Sequence, residues 1–361
     1  MFGRRITVFT IMGFDIRVDL SWIIIAAVIS WSLATAVFPS YLENQSSMVY
    51  WIMGVLGAIG LFASVTFHEL SHSVVARRFG LPIEGITLFI FGGVSEMKRE
   101  PDSPAAEFYM AIAGPAASIA AGVAFLAVAY QGRGWPATAV TVIRYLGIIN
   151  LVLAGFNLLP AFPLDGGRML RAGLWKLKKD LHRATVISAR VGKIFGFILI
   201  SAGILFLFRG SVAAGFWWIF IGMFLRGASQ QSILRSRITE SLRGVDVVEL
   251  MRKDPETLPA EATAAEIKSE YLVGSDLDIF PVLKDGWLEG LVQRDMLEKI
   301  TGKQGNEITA VEMAEPCGEE DCIPADQEAV EAMHRLRRKG ADARLLVTRG
   351  KELAGTISLN D

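Results

Sequence analysis

The sequence predicts an α-helical polytopic membrane protein with about six transmembrane helices and membrane-associated β-hairpins, followed by a separate α/β domain. Of its 361 residues, 52% are hydrophobic and 20% are charged, a balance that argues against a soluble or disordered protein. The charges are also segregated, because residues 1–243 hold 22 basic and 12 acidic side chains, whereas residues 244–361 hold 14 and 25. We therefore expect two different domains, joined near residue 244.

Six stretches without charged residues are the candidate membrane spans, since a helix needs roughly 20 mostly apolar residues to cross a bilayer. They run over residues 20–42, 44–67, 108–132, 145–164, 194–208 and 210–225. The last two are short, but Arg190, Lys193 and Arg226 lie at their ends, where long side chains can reach the membrane interface. We expect a membrane domain over residues 21–226 and a linker over residues 227–244.

The basic residues between the spans predict the orientation. With the N-terminus in the cytosol, 19 Lys and Arg residues fall on the cytosolic side, and only Arg133, Arg144 and Arg209 fall outside. The positive-inside rule then predicts a multi-pass plasma-membrane protein in a lipid bilayer, with a cytoplasmic N-terminus and a cytoplasmic C-terminal domain. Because the basic residues form short clusters and not one continuous face, nucleic acid is not an expected partner. No cleavable signal peptide is expected.

Two segments outside the spans have the two-residue alternation that is typical of strands. Within residues 1–20, apolar side chains from Phe14 to Leu20 alternate with charged ones, so an amphipathic hairpin is expected. Within residues 86–97, two apolar arms flank Gly92-Gly93, which we expect to form a tight turn. The arms are too short to span a bilayer, so this hairpin could re-enter the interior of the protein. An ordinary apolar loop is the alternative.

The second span ends in FHELSH, which places His68 and His72 four residues apart with Glu69 beside them. Residues at this spacing share one face of a helix, so both imidazoles can bind one ion. Zinc suits this set, because two imidazoles and a carboxylate leave a fourth position for a water molecule whose proton Glu69 could accept. Such groups are costly to bury in hydrocarbon, so a functional site is favoured over a polar cluster that joins helices.

Asp165, in NLLPAFPLDGGR, is the strongest candidate for the third zinc ligand. Pro160 and Pro163 prevent a regular helix there, and Gly166-Gly167 permits a close backbone approach that a side chain would block. Asp165 can therefore be turned towards the metal. Weaker candidates for this ligand are Glu107, Asp19 and Glu84.

Asn157 lies on the same span and offers both a donor and an acceptor. It could hold a peptide backbone or stabilise an oxyanion, or it could make an interhelical hydrogen bond.

HELSH at 68–72 followed by NLLPAFPLDGG at 157–167 resembles the motif pair of the site-2 protease family of intramembrane zinc metalloproteases. AGPAAS at 113–118 resembles the small-residue segment of that family's third core helix. The resemblance covers about residues 1–226, with the catalytic core in 55–175.

The resemblance implies that His68, His72 and Asp165 bind one zinc ion, that Glu69 activates the water, and that Asn157 assists catalysis. It also implies an endopeptidase that cleaves a transmembrane or membrane-tethered protein, such as a tethered transcription regulator. A helical substrate hides its amides in hydrogen bonds, so it must unwind locally before water can attack.

The segment at residues 86–97 resembles the family's re-entrant hairpin through Phe91, Gly92 and Gly93. An exposed strand edge there could receive the unwound substrate segment as an added strand. We therefore expect substrate contacts at these three residues and at Phe89.

The C-terminal domain contains an internal repeat. TLPAEATAAE at 257 aligns with CIPADQEAVE at 322, and FPVLKDGWLEGLV at 280 aligns with LLVTRGKELAGTI at 345, both at an offset of 65 residues. Each unit has the pattern of a strand, a helix and two strands joined by a Gly turn. This pattern resembles a pair of tandem CBS domains, here residues 245–300 and 309–361, through which the chain could form a homo-oligomer.

The CBS resemblance also implies a candidate ligand. In that family, the end of the second strand often supplies a hydroxyl residue and, three residues later, an Asp to an adenine nucleotide such as ATP. Ser358 and Asp361 fit this spacing, whereas Gln293 and Asp295 of the first repeat depart from it. At most one nucleotide site is expected, and a dimerisation or adaptor module without nucleotide is the alternative.

The rival function is a CBS-regulated transporter or channel. It would need polar groups along a path through both halves of the membrane, whereas the polar groups predicted here gather near one end of two spans. A scaffold with a degenerate site is disfavoured by the intact ligands and by Glu69. Cys317 and Cys322 have neither a CxxC spacing nor a neighbouring His pair, so we expect reduced thiols and no second zinc site.

Overall fold

A computed structural model of the chain describes residues 5–19, 21–89, 92–97, 101–132, 134–272, 278–300, 307–340 and 343–361. The chain divides into two compact units, Met1–Ser236 and Arg237–Asp361. We call the first the membrane unit and the second the tail. The division falls within a helix that ends at Ser241, so most of the range expected to be a linker is helical.

Within the described residues, six helices are long and apolar enough to cross a membrane, as the sequence predicts. The first combines α1 (Ser21–Ser32), a π-helical turn (Leu33–Val37) and α2 (Phe38–Tyr41). The others are α3 (Ser47–Arg78), α4 (Pro104–Gln131), α5 (Ala137–Asn157), α7 (Leu181–Phe208) and α8 (Val212–Ser241). Helices α7 and α8 are longer than their charge-free runs because Lys193 and Arg226 lie within them.

Small residues bring these helices close together. A Cβ atom on Gly147 of α5 would lie 2.7 Å from a side-chain atom of Leu126 on α4. A Cβ atom on Gly196 of α7 would lie 2.7 Å from the carbonyl oxygen of Gly222 on α8. Such contacts are typical of helix packing in membranes, where close backbone approach replaces the hydrophobic effect as the main attraction.

Four strands of the membrane unit form one sheet in the order β1-β2-β3-β4. The strands are β1 (Arg5–Ile11), β2 (Phe14–Asp19), β3 (Ile83–Phe89) and β4 (Gly92–Met97). Strands β1 and β2 form the hairpin expected in residues 1–20, and β3 and β4 form an antiparallel hairpin. Strands β2 and β3 pair in parallel, with Ile16 opposite Ile86, so the two hairpins share one sheet.

The turn of the second hairpin is not where the sequence predicts it. Gly92 and Gly93 belong to β4, and Gly92 pairs with Phe89 of β3. Residues 90–91, between the two strands, lie outside the described residues. Gly93 is needed for close packing and not for a turn, because a Cβ atom there would lie 2.6 Å from Cγ of Glu69.

A seven-residue loop after α5 leads into a shorter helix, α6 (Asp165–Lys178). We call residues 158–164 the proline loop. Its two prolines lack an N–H group and therefore cannot continue the hydrogen bonding of α5. A Cβ atom on Gly167 would collide with the backbone of Phe162, so the first turn of α6 packs directly on the proline loop.

The tail consists of two repeats with matching strands. The first has β5 (Leu258–Pro259), β6 (Ile279–Lys284) and β7 (Trp287–Gln293), and the second has β8 (Cys322–Pro324), β9 (Arg344–Arg349) and β10 (Glu352–Ser358). In each repeat the longer pair is antiparallel and the short strand is parallel to its neighbour. Strands β6 and β9 begin 65 residues apart, as do β7 and β10, which confirms the internal repeat.

The strands of each repeat form a separate apolar core, with Phe280 and Val282 in the first and Leu345 and Val347 in the second. The cores also take residues from outside the expected bounds of their repeats, because Ala310 packs in the first core and Val247 in the second. The tail helices are α9 (Val247–Leu250), α10 (Ala264–Glu266), followed by a π-helical turn (Ile267–Tyr271), α11 (Arg294–Lys299), α12 (Ala310–Met313) and α13 (Ala329–Lys339). Capping boxes begin three of these helices. Hydrogen bonds from the backbone and hydroxyl of Thr309 lower the pKa of the Glu312 carboxyl from its usual value.

The expectation of two reduced thiols in the tail is wrong for this structure, in which Cys317 and Cys322 form a disulfide. A turn brings the two residues together, because the amides of Asp321 and Cys322 both donate to the carbonyl of Gly318. The Cα atoms of the two cysteines are consequently 5.8 Å apart. The sequence spacing alone does not reveal this turn.

Candidate metal centre

Two buried histidines on α3 form one side of the candidate site. His68 and His72 are one helical turn apart, with ring centroids 4.8 Å apart and ring planes at 77°. Only 3% of His68 and 6% of His72 is exposed. Because side chains four residues apart lie on one face of a helix, both imidazoles can face the same neighbour.

Asp165, the first residue of α6, is that neighbour. Its Oδ2 atom lies 3.1 Å from Nε2 of His68 and 3.3 Å from Nε2 of His72. The three side chains are buried, and one potential ligand atom from each lies within 4.8 Å of the others. Across the described residues, this is the only group of three or more His, Cys, Asp or Glu side chains found with such a geometry. The structure thus brings together the three predicted ligands.

The other nitrogen of each imidazole is also held. His68 Nδ1 lies 2.8 Å from Ser118 Oγ, and His72 Nδ1 lies 2.6 Å from the carbonyl oxygen of Met110. A carbonyl can only accept, so His72 carries a proton on Nδ1 and, when neutral, turns the lone pair of Nε2 towards Asp165. A lone pair and a carboxylate this close require a cation or a second imidazole proton between them. The donor set therefore fits a metal ion.

A glycine on α4 makes room for the two imidazoles. A Cβ atom on Gly114 would lie 2.5 Å from His68 Nε2 and would also collide with His72 Nε2. Ser118 follows one turn later on the same helix and contacts His68. The AGPAAS segment thus supplies both the space beside the imidazoles and one of their hydrogen-bond partners.

A cavity of about 360 Å³ opens beside these groups. Its lining residues come from α3, the sheet, α4, the end of α5, the proline loop, α6 and α8: His68, Glu69, His72, Ile83, Phe89, Gly93, Met110, Asn157, Pro163, Leu164, Asp165, Arg168 and Phe224. Both predicted catalytic residues, Glu69 and Asn157, are among them. Asn157 donates one Nδ2 proton to the carbonyl of Leu153 at 3.1 Å, which leaves a second proton on the same nitrogen.

Several lining residues are missing from the sequence prediction, and Arg168 and Phe224 are two of them. Arg168 lies three residues after Asp165, so a helical reading of α6 would have placed both on one face. Phe224 lies on α8, far along the chain, and no pattern in the sequence connects it with the site. Of the predicted substrate contacts, Phe89 and Gly93 line the cavity, whereas Phe91 lies outside the described residues.

The weaker ligand candidates are elsewhere or are not described. Glu107 of α4 is completely buried and accepts a hydrogen bond of 2.6 Å from Nε of Arg171 on α6. This ion pair ties the helix that carries Asp165 to α4. Asp19 accepts a hydrogen bond of 2.9 Å from the amide of Ser21. The side chain of Glu84 lies outside the described residues.

In the tail, the two predicted nucleotide contacts bind each other. Asp361 Oδ2 accepts hydrogen bonds from the amide and hydroxyl of Ser358, and Asp361 Oδ1 accepts one of 2.7 Å from Arg252. Burial would raise the pKa of Asp361, but the Ser358 and Arg252 hydrogen bonds outweigh it and lower that pKa. Neither Ser358 nor Asp361 lines the two described tail cavities.

One of these tail cavities lies beside the first repeat. Its volume is about 410 Å³, and both repeats contribute to its lining: Asp278, Ile279, Gln293, Arg294, Asp295, Glu298, Asp321, Lys339, Ala343 and Arg344. Gln293 and Asp295, which depart from the nucleotide-binding spacing, are therefore beside a cavity, whereas the matching positions of the second repeat line neither described cavity.

Comparison with known proteins gives the family of the membrane unit. The model of "Peptidase family M50" matches residues 56–136 and 128–199, which include His68, His72 and Asp165. The chain is 34% identical over 354 residues to "Putative zinc metalloprotease Rip3" of Mycobacterium tuberculosis, covering 97% of this chain and 90% of that protein. It is 28% identical to "Zinc metalloprotease MJ0392" of Methanocaldococcus jannaschii, covering 99% and 94%.

A solved structure is also similar. The site-2 protease from Methanocaldococcus jannaschii shares 32% sequence identity with this chain at a TM-score of 0.44. The similarity covers 64% of this chain and 95% of that one. The matches to both curated relatives extend through the tail as well as the membrane unit.

Proposed function

Because the chain belongs to peptidase family M50 and is a zinc metalloprotease of the site-2 protease type, we propose that His68, His72 and Asp165 hold its zinc ion. One observation carries this proposal: two imidazole Nε2 atoms and one carboxylate oxygen converge in a buried site. Three protein ligands leave a fourth coordination position for water, as in catalytic zinc sites.

The surrounding residues can perform peptide hydrolysis. His68, His72 and Asp165 would hold the zinc ion, which would supply Lewis-acid polarisation of the scissile carbonyl and of a water molecule. Glu69, which lines the cavity beside the histidines, accepts the water's proton and returns it to the leaving amine. Asn157 uses its second Nδ2 proton to stabilise the oxygen on which negative charge develops.

The sheet offers a means of holding an unwound substrate. Strand β3 lies between β2 and β4, so β4 is an edge strand of the sheet. Glu69 packs against Gly93 of this edge strand. No further strand pairs with the outer side of β4 in the described part of the chain. A transmembrane substrate helix that unwinds could add to this edge through main-chain hydrogen bonds, which places its peptide group beside the cavity.

A pair of proline substitutions tests the strand addition. Backbone donors alternate in direction along a strand, so of Val94 and Ser95 one N–H points to β3 and the other to the open edge. Val94→Pro and Ser95→Pro should therefore slow cleavage in different ways: one weakens the hairpin, and the other leaves the fold intact but removes a donor to the substrate. Equal turnover by wild type and both variants, at equal zinc content, would refute strand addition.

The setting of this reaction is a membrane. Six membrane-capable helices and membership of this family identify a multi-pass membrane protein. We infer from the basic clusters that the N-terminus and the tail are cytoplasmic in the plasma membrane. The substrate is then a transmembrane or membrane-tethered protein, such as a tethered transcription regulator, and the bilayer is the protein's solvent.

For the tail we propose a tandem CBS pair that regulates the protease or joins it into a homo-oligomer. The two repeats with matching strands, which form two separate apolar cores, support this proposal. Because Asp361 is engaged by Ser358 and Arg252, an adenine nucleotide at that position must displace these hydrogen bonds. ATP should raise the melting temperature of the full-length protein in detergent. A tail that neither melts higher nor resists proteolysis with ATP has no such site.

The proteolytic function is tested with Glu69→Gln, which keeps the shape of the side chain but cannot accept a proton. We expect one zinc ion per chain in both proteins and cleavage of a co-expressed tethered substrate by the wild type alone. The rival transporter or channel requires no proton acceptor beside a metal. Cleavage by the Gln variant at the wild-type rate would therefore contradict the proposed role of Glu69.

A further inference from the structure

The proline loop determines where Asp165 lies. Among the described residues, the side-chain hydrogen bonds of the three proposed ligands, His68, His72 and Asp165, do not involve that loop. Its last residue, Leu164, immediately precedes Asp165, and its backbone amide donates to the carbonyl of Ala161 at 2.9 Å. The carbonyl of Leu164 accepts from the amide of Arg168 in the first turn of α6. A shift of the loop is therefore transmitted through the backbone to the carboxylate.

A serine on α8 holds the loop from outside. The hydroxyl oxygen of Ser229 lies 2.5 Å from the carbonyl oxygen of Phe162 and 2.8 Å from that of Leu225 on its own helix. A hydroxyl has one proton and can donate to one of the two at a time, and the shorter distance favours the loop carbonyl. Ser229 is completely buried, so water does not replace this donor.

Helix α7 packs closely against both the proline loop and the same serine. A Cβ atom on Gly192 would lie 2.5 Å from Ser229 Oγ and would also collide with the carbonyl oxygen of Phe162. Ala161 packs with Leu199 of α7 and Leu225 of α8 in one apolar cluster. Two helices that carry no proposed zinc ligand thus enclose the loop, and Ser229 supplies a hydrogen bond from one of them to its backbone.

We propose that Ser229 is a positioning residue for the metal centre, acting on Asp165 through the carbonyl of Phe162. Without the hydroxyl, a buried carbonyl loses its donor, and the loop turns to find another partner. The carboxylate three residues later then moves relative to the two imidazoles, which α3 holds independently. This inference rests on the proposed zinc ligands.

The chain provides a matched control one turn further along α8. The Ser232 hydroxyl donates to the carbonyl of Ala228 at 2.9 Å, which is the same contact with its own helix but without a loop partner. Ser232→Ala therefore removes the same group from the same helix and leaves the proline loop untouched. Any difference between the two alanine variants reports the contact with the loop.

The experiment measures metal binding by the full-length protein in detergent. Zinc affinity is obtained by competition with a chromogenic chelator, and ligand geometry from the visible absorption bands after cobalt substitution. We expect Ser229→Ala to weaken zinc binding by about tenfold, the scale typical of residues that orient metal ligands, and to shift the cobalt bands. Ser232→Ala should match the wild type in both measurements.

Ser229→Thr and Ser229→Cys keep the test decisive if the alanine variant does not fold. The Ser229→Thr protein retains a hydroxyl, whereas the Ser229→Cys protein has a thiol, which is a weak donor. The Ser229→Thr protein should therefore bind zinc more tightly than the Ser229→Cys protein. Equal affinities and identical cobalt spectra across the Ser229 series and Ser232→Ala would overturn the proposed role of Ser229 and leave the proposed zinc ligands unaffected. A wild-type protein that binds no zinc would overturn the proposed metal centre, and this inference with it.

Discussion

The membrane unit and the tail distribute their polar side chains in opposite ways. Among the described residues, the tail has one buried polar residue, Thr356, whereas the membrane unit has fifteen, including His68, His72 and Asp165. The tail instead places its carboxylates at helix starts and on its surface. Burying a polar group costs free energy unless a partner compensates for the lost hydration. Buried ionisable residues in a membrane unit are therefore candidates for its functional site.

The largest contrast is expected between two aspartates, one in each region. Asp165→Asn removes a charged zinc ligand and should lower zinc affinity by at least about 100-fold and abolish cleavage. Asp361→Asn changes a side chain whose hydrogen-bond partners among the described residues are Ser358 and Arg252, so zinc content should stay at the wild-type value. Zinc analysis of both purified variants decides the comparison. Full zinc occupancy in Asp165→Asn would assign the metal to other ligands.

Two glycines should differ almost as much. Gly114→Ala forces a methyl group against both imidazoles, so we expect zinc affinity and cleavage to fall by more than about tenfold, although alanine favours the helix. A Cβ atom on Gly318 in the tail would meet no atom of the described residues within 4 Å, so Gly318→Ala should be neutral for both measurements. Equal activity in the two variants would mean that the imidazoles do not pack closely on α4.

The third comparison is between two ion pairs. Glu107→Gln breaks the buried pair with Arg171 and should destabilise the membrane unit by about 3–5 kcal/mol. Glu331→Gln breaks the partly exposed pair with Arg335 on α13 and should cost less than about 1 kcal/mol. Thermal unfolding in detergent measures both. A Glu107 variant as stable as the Glu331 variant would show that α6 is held in place without this ion pair.

The smallest effect is expected at the capping boxes of the tail. Because the pKa of Glu312 is lowered in the folded state, its charge stabilises the tail above the pKa of an unfolded Glu and ceases to do so as pH falls through the folded value. Wild type should therefore melt slightly above Glu312→Gln at pH 7, and the gap should close in acid. A gap that widens as pH falls would reverse the expected sign.

Much of this arrangement follows from the sequence because it depends on local pattern. The six spans follow from runs without charge, the repeat from its offset of 65 residues, and His68 with His72 from helical spacing. Asp165 is accessible to prediction because two prolines mark the loop before it and two glycines follow it. These features require no knowledge of which distant segments meet.

The remaining features depend on contacts between distant segments. Gly93 looks like a turn residue, yet it is glycine because Glu69 of α3 packs against β4. Phe224 lines the cavity and Ser229 contacts the proline loop because α8 packs beside that loop. The disulfide forms because a turn at Gly318 brings its two cysteines together. In each case the position or contact of the residue is explained by tertiary packing and not by the local sequence.

The most direct test of the central claim is the zinc X-ray absorption spectrum of the purified full-length protein. A site formed by His68, His72 and Asp165 predicts one zinc ion with nitrogen and oxygen neighbours at about 2.0–2.2 Å and the scattering pattern of imidazole rings. The chain's only two cysteines are in the tail. A spectrum without the imidazole pattern, or with sulfur neighbours at about 2.3 Å from these cysteines in their reduced form, would contradict the proposed site in the membrane unit.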